Sequence, residues 1–124
     1  MSNLIPKNLI NTIPELYDTQ DLKDPICQIK LFLADSSFTW YIIELDRADL
    51  NTCYGFVDGL ERELGYFSLD ELESVRGLFG LKVERDLSFK PTKLSKIKVK
   101  WRSHFFTVIP FQAKKLVEIK VLMF

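Results

Sequence analysis

Between Glu63 and Gly77 the sequence reads ELGYFSLDELESVRG, and its apolar period changes partway through. Leu64, Tyr66 and Phe67 read as the end of a buried strand. From Ser68 onward Leu69, Leu72 and Val75 recur at helical spacing, with Asp70, Glu71, Glu73 and Arg76 on the other face and Gly77 as the stop. Ser68 stands three residues before Glu71. At that spacing the serine hydroxyl accepts the N3 amide and the glutamate reaches back to the serine amide. Such a strand-to-helix hinge forces the apolar segments on either side to pack against it. Ser68 is therefore read as a cap. A nucleophilic serine at a turn of this kind needs a G-x-S-x-G frame, and the flanks here are Tyr66 and Asp70.

The segments before the hinge read as a meander. Ile5, Leu9 and Ile13 give one helical face; Pro6 suits a first turn and Pro14 ends or kinks the helix. Leu16 and Tyr17 are expected to dock one further turn, and residues 18–25 are a polar loop. Ile26 to Leu33 is a strand, Asp35-Ser36-Ser37 a turn, and FTWYIIEL from Phe38 to Leu45 a second strand, so the pair is an antiparallel hairpin. Cys53 to Val57 is a third strand, closed by Asp58-Gly59.

Beyond the hinge, Gly77-Leu78-Phe79-Gly80 reads as a loop with a docked apolar pair. It lacks the spacing and the Lys-Ser/Thr of a phosphate-binding loop. Leu81 to Phe89 alternates loosely and is expected to be a strand, followed by a turn or single helical turn at 92–95. Ser95 to Arg102 alternates most strictly. Lys96, Lys98, Lys100 and Arg102 point one way, and Ile97, Val99 and Trp101 the other, as in a strand with one wholly cationic face. Phe105 to Ile109 and Leu116 to Leu122 complete the expected strands.

These elements predict an α+β fold: an antiparallel, meander-like sheet packed with two short helices, in a single domain over residues 1–124. A chain of 124 residues buries enough surface to fold without metals or disulfides. No run approaches the ~18 apolar residues of a membrane span, and the N-terminus lacks the pattern of a signal peptide. Cys27 and Cys53 lie in apolar strands and read as reduced core thiols of a cytoplasmic protein. The net charge is zero but unevenly spread. Residues 1–81 carry six Lys/Arg against fourteen Asp/Glu, and residues 82–124 carry eleven against three. That division marks either an interaction surface or two parts that neutralise each other on packing.

The block TWYIIELD, followed by YGFVDGLERELGYFSLDELESVRGLFGLKVERDLSFKPTKLS, resembles the domain-of-unknown-function 2958 family, as does the opening LIPKNLINTIPELYDT. The resemblance covers about residues 4–97, and about 98–124 read as a C-terminal β extension beyond the family pattern. It implies a bacterial, cytosolic protein associated with plasmids and other mobile elements. It brings no catalytic residue with it.

Two constellations carry candidate chemistry. Lys90, Lys93, Lys96, Lys98, Lys100 and Arg102 can track a phosphate backbone, with Trp101, Phe105 or Phe106 as stacking surfaces. The plainer account is a solvated strand face whose lysines block edge pairing. Glu44 and Asp46, at i and i+2 on one strand face with Asp35, Asp49, Asp58, Glu61 and Glu63 nearby in sequence, can hold Mg²⁺ or Mn²⁺. The plainer account there is a solvated acidic surface. His104 is the only histidine, so a zinc site has no support. The leading expectation is a non-enzymatic interaction module of a bacterial mobile element, without cofactor or membrane, binding a protein partner or nucleic acid through charged surfaces. A small metal-dependent enzyme acting on nucleic acid is the alternative, and a homodimer built by the tail strands is a third arrangement.

Overall fold

A computed structural model describes residues 2–98 of the chain. The elements in order are α1 (Lys7–Ile10), β1 (Ile26–Cys27), β2 (Ile29–Leu33), β3 (Thr39–Leu45), β4 (Thr52–Asp58), β5 (Arg62–Ser68), α2 (Leu69–Ser74), β6 (Val83–Arg85) and β7 (Thr92–Lys93), and residues 94–98 are helical. Five strands form an antiparallel sheet in the order β5-β4-β3-β2-β6, and β1 pairs with β7 in a two-stranded sheet. The fold is α+β. No described helix is long and apolar enough to cross a membrane.

The central strand β3 explains the layering. Its residues alternate between two cores, as the period of two dictates. Trp40 and Ile42 join Ile29, Leu31 and Leu33 on one face, where Ile5 and Ile13 of the N-terminal segment, Leu69 and Leu72 of α2, and Val83 of β6 cover them. Tyr41 and Ile43 face the other way with Cys27 and Phe56, beneath Leu94 and Ile97. The β3–β4 register shifts between Ile42 and Glu44. An unbroken ladder would aim Glu44 into the first core. The bulge inserts Ile43, so that Leu45 meets Cys53 in that core and Glu44 pairs with Tyr54 instead. Gly55 pairs with Ile42 beside the bulge, and a Cβ there would overlap the Tyr41 carbonyl.

The hinge behaves as its spacing predicts at one end. The Glu71 N–H donates to Ser68 Oγ at 3.4 Å. Asn51 adds a cap that its sequence position does not advertise: its Oδ1 accepts from Asp70 N at 2.8 Å and from Ser68 Oγ at 3.1 Å. The helix ends before Gly77, at an extended Val75, and the Arg76 guanidinium donates to the Glu73 and Val75 carbonyls. Gly77 serves a different purpose, because a Cβ there would overlap the Asp35 carboxylate.

Several expectations need correction. The first strand breaks at Gln28, where the Gln28 N–H bonds to the Ile42 carbonyl and the chain passes from one sheet to the other. Strand β5 is an edge strand, not a buried one, and Leu64 and Tyr66 are exposed. Strand β6 has only three residues, since Asp86 turns the chain by accepting from the Ser88 N–H and hydroxyl. The expected turn at 92–95 holds β7 and the start of the final helical segment. The expected cationic strand is helical over residues 94–98, because Leu94 and Ile97, three apart, both bury in the second core. The strands expected at 105–109 and 116–122, and Trp101 and His104, lie outside the described residues.

Candidate functional site

Among the described residues two non-glycine residues have a positive φ, Leu50 at +51° and Tyr17 at +73°. A non-glycine residue in the left-handed region costs about 1–2 kcal/mol and persists only where its surroundings fix it. Three ties fix Tyr17. Leu45 N donates to the Pro14 carbonyl at 2.9 Å. The Arg47 guanidinium donates to the Ile13 carbonyl at 3.0 Å, while its backbone N–H meets the Glu15 carboxylate. The third tie is Glu44, only 2% exposed. Its Oε1 accepts from Tyr17 N at 2.9 Å, and its Oε2 accepts from Thr19 N at 2.9 Å and from the Thr19 hydroxyl. A carboxylate in an otherwise apolar strand is thus supplied with donors from residues 17–19, which offsets its desolvation.

The expected docking of Tyr17 does not occur: it is 61% exposed. Its backbone N–H ties it to one end of a cross-strand row. Glu44 pairs with Tyr54 and Tyr54 with Tyr66, so the three lie side by side across β3, β4 and β5. The Tyr54 and Tyr66 rings are 5.1 Å apart at 55°. The Tyr66 hydroxyl is held above its ordinary value, first by partial desolvation and then by the neighbouring Tyr17, Glu44 and Tyr54. Tyr66 is nevertheless 57% exposed. The exposed Tyr17 and Tyr66 and the half-buried Tyr54 thus neighbour one buried carboxylate.

The carboxylates proposed as metal ligands do not converge. Glu44 is enclosed as described, and Asp46 turns into its own loop, where it accepts from Ala48 N at 2.8 Å. Asp49 accepts from Asn51 and Thr52, which holds its carboxyl below the usual range. Asp35 accepts from Phe79 N at 2.7 Å and Leu81 N at 3.4 Å. Among the described residues no group of three His, Cys, Asp or Glu comes together as a metal site. A cleft of about 280 Å³ has Leu9, Ile29, Phe89 and Pro91 among its walls, and its ionisable groups are Arg85 and Asp86. Asp86 there is engaged by Ser88 and by Lys30 at 3.5 Å.

Lys90, Lys93, Lys96 and Lys98 are all exposed, and the last two lie in the helical 94–98 segment and not on an alternating strand face. On a helix, positions two apart diverge by about 200°, so Lys96 and Lys98 leave the 94–98 segment on opposite flanks. Asp24 secures that segment by accepting from Ser95 N at 2.9 Å and Ser95 Oγ at 2.7 Å. These bonds, with smaller contributions from Lys93 and Lys96, hold its carboxyl below the usual range. Lys98 instead lies over the Phe56 ring at 5.4 Å, as does Arg62, whose Nη2 donates to the Lys98 carbonyl. Lys100 and Arg102 lie outside the described residues.

The 77–80 loop also differs from expectation. Asp35 fastens its backbone, and Gly80 turns it at φ +82°, which leaves Leu78 and Phe79 outside the core at 72% and 80% exposed.

A family described as "Protein of unknown function (DUF2958)" matches residues 4–102. The chain belongs to this family. No match was found among curated proteins or among solved structures. The DUF2958 match contains Tyr17, Glu44, Tyr54 and Tyr66, and also all six proposed cationic residues. In this DUF2958 chain the tyrosine row escaped sequence reasoning because its members come from three separate segments. One signal was present: Glu44 interrupts an apolar strand, and a charge so placed needs partners.

Proposed function

We propose that this protein is a non-enzymatic interaction module that holds a protein partner at the row of Tyr17, Tyr54 and Tyr66. The observation that carries this reading is the exposed Tyr17, kept in a left-handed conformation by the buried Glu44 carboxylate. Backbone strain kept at an exposed aromatic side chain fits a surface selected for contact more than one selected for stability. Tyrosine supplies large contact area at little entropic cost and is enriched where proteins bind one another. The surrounding charge suits a basic partner, since Glu15, Asp18 and Asp21 flank Tyr17 and residues 1–81 carry a net of −8. Following the family resemblance, the setting proposed is the cytoplasm of a bacterium, in the service of a mobile element. The buried free thiols of Cys27 and Cys53 fit that compartment.

The nucleic-acid reading rests on Lys90, Lys93, Lys96, Lys98, Lys100 and Arg102. The splayed directions of Lys96 and Lys98 weaken it. The donors already on Glu44 weigh against a metal-dependent enzyme built on Glu44 and Asp46.

The test is a photo-crosslinking residue placed at position 64, the exposed neighbour of Tyr66 along β5, in the full chain inside cells. The expected result is a discrete protein adduct that disappears when Tyr17→Gly is added, and whose purified partner binds the wild type more tightly than the Tyr17→Gly variant. Adducts only with nucleic acid, or a partner indifferent to Tyr17, would overturn the reading.

A further inference from the structure

We infer that Tyr17, Tyr54 and Tyr66 form a site for a cationic side chain of the partner, an arginine guanidinium, with the Glu44 carboxylate as the fixed anion beneath. This deepens the preceding proposal and rests on it.

The chemistry is that of cation–π recognition. Tyrosine faces carry partial negative charge and attract a cation within about 6 Å of the ring centroid. The Tyr54 and Tyr66 rings touch, with centroids 5.1 Å apart and planes inclined at 55°, so a cation meets their outer faces, and the exposed Tyr17 is held beside them by its backbone bond to Glu44. The carboxylate in this row is 2% exposed and adjoins Tyr54 across the ladder. A negative group screened from water biases the row toward cations. The acidic Glu15, Asp18 and Asp21 add longer-range attraction.

The same sheet face already holds this chemistry once. Phe56 is two residues from Tyr54 along β4, and it carries Arg62 and Lys98 above its ring, each at 5.4 Å. The sheet therefore accepts an arginine and a lysine against an aromatic residue at the neighbouring position. Among the described residues the chain supplies such cations to Phe56 and none to the tyrosine row. A partner's guanidinium fits best there, because its plane stacks on tyrosine faces and is less strongly hydrated than an ammonium.

The test uses the full-length protein with ring-labelled tyrosine and two probes. One is the peptide acetyl-Gly-Arg-Gly-Arg-Gly-amide, and the other is the same peptide with citrulline at both arginines, which preserves shape and removes charge. The arginine peptide should shift the Tyr17, Tyr54 and Tyr66 ring signals together, with roughly three- to tenfold tighter binding than the citrulline peptide. Tyr17→Gly and Tyr66→Ala should each lower that affinity while the core methyl signals stay in place. Equal binding of the two peptides, or shifts elsewhere in the protein, would overturn the assignment. So would a single-stranded oligonucleotide that moves the three rings when the arginine peptide does not. Failure of the peptides together with a persistent protein adduct at position 64 would reject the cation and leave the interaction surface standing. Loss of the adduct as well would reject both.

Discussion

At Tyr17 the strain and the surface can be separated experimentally. The φ of +73° suits glycine, and the Glu44 contact there is made by the backbone N–H, which every residue but proline retains. Tyr17→Gly should therefore leave the fold intact. It should change stability by less than about 1 kcal/mol, because relief of the left-handed strain is offset by the added freedom of the unfolded chain. Urea denaturation reads this directly, and an unfolding midpoint far below that of the wild type would show that the ring supports the core. Glu44 should behave in the opposite way. Glu44→Gln keeps the shape but turns an amide NH₂ toward donors on residues 17–19, so it should cost about 1–3 kcal/mol. Were Glu44 a metal ligand, its loss would instead leave the metal-free protein as stable as before. The sequence pointed to Glu44 through its apolar flanks but not to its partners, which lie 25 and 27 residues away.

At the level of elements, legibility followed how local the cause was. The strand β3 was readable because FTWYIIEL is rich in aromatic and β-branched residues and bounded by turn residues. The start of α2 was readable because Ser68 and Glu71 are three residues apart. The helical residues 94–98 were misread because Leu94 and Ile97 satisfy a helix through their burial, while the lysines between and after them satisfy a period of two. The outward position of Leu78 and Phe79 was also hidden, since the Asp35 bonds that hold their loop come from the β2–β3 turn. The start of β5 yields a pH prediction of its own. Asp58 is buried beside Arg62 Nε at 3.7 Å, and desolvation outweighs that cation, so its carboxyl is pushed up to about 6. The folded state then binds a proton more tightly than the unfolded chain does, and the burden of the buried charge is greatest above pH 6. As the pH falls from 7 to 5, this group should add stability, whereas Asp24, Asp49, Glu73 and Asp86, held below the usual range, withdraw theirs only in more acid solution. The unfolding midpoint should rise over that interval in the wild type, and Asp58→Asn should remove the rise.

At the scale of the whole sequence the charge is divided, and among the described residues little of it is paired. Residues 1–81 carry a net of −8 and residues 82–124 a net of +8, yet the ion pairs found between described residues are Lys30–Asp86 and Arg62–Asp58. Opposite charges in the described part thus remain largely at the surface, where they add little to stability and act at longer range. Which sign does the steering decides between protein and nucleic acid. A duplex held by Lys90, Lys93, Lys96 and Lys98 would make four phosphate contacts, and its log–log salt slope would be roughly −3 to −4. Lys96 and Lys98 leave their helical turn in different directions, and the acidic surface would repel the duplex. Fluorescence anisotropy with labelled single- and double-stranded DNA should therefore show no binding at about 50 mM salt up to tens of micromolar protein. A slope of that size, lost when the four lysines become serine, would transfer function from the acidic tyrosine surface to the cationic end of the described chain.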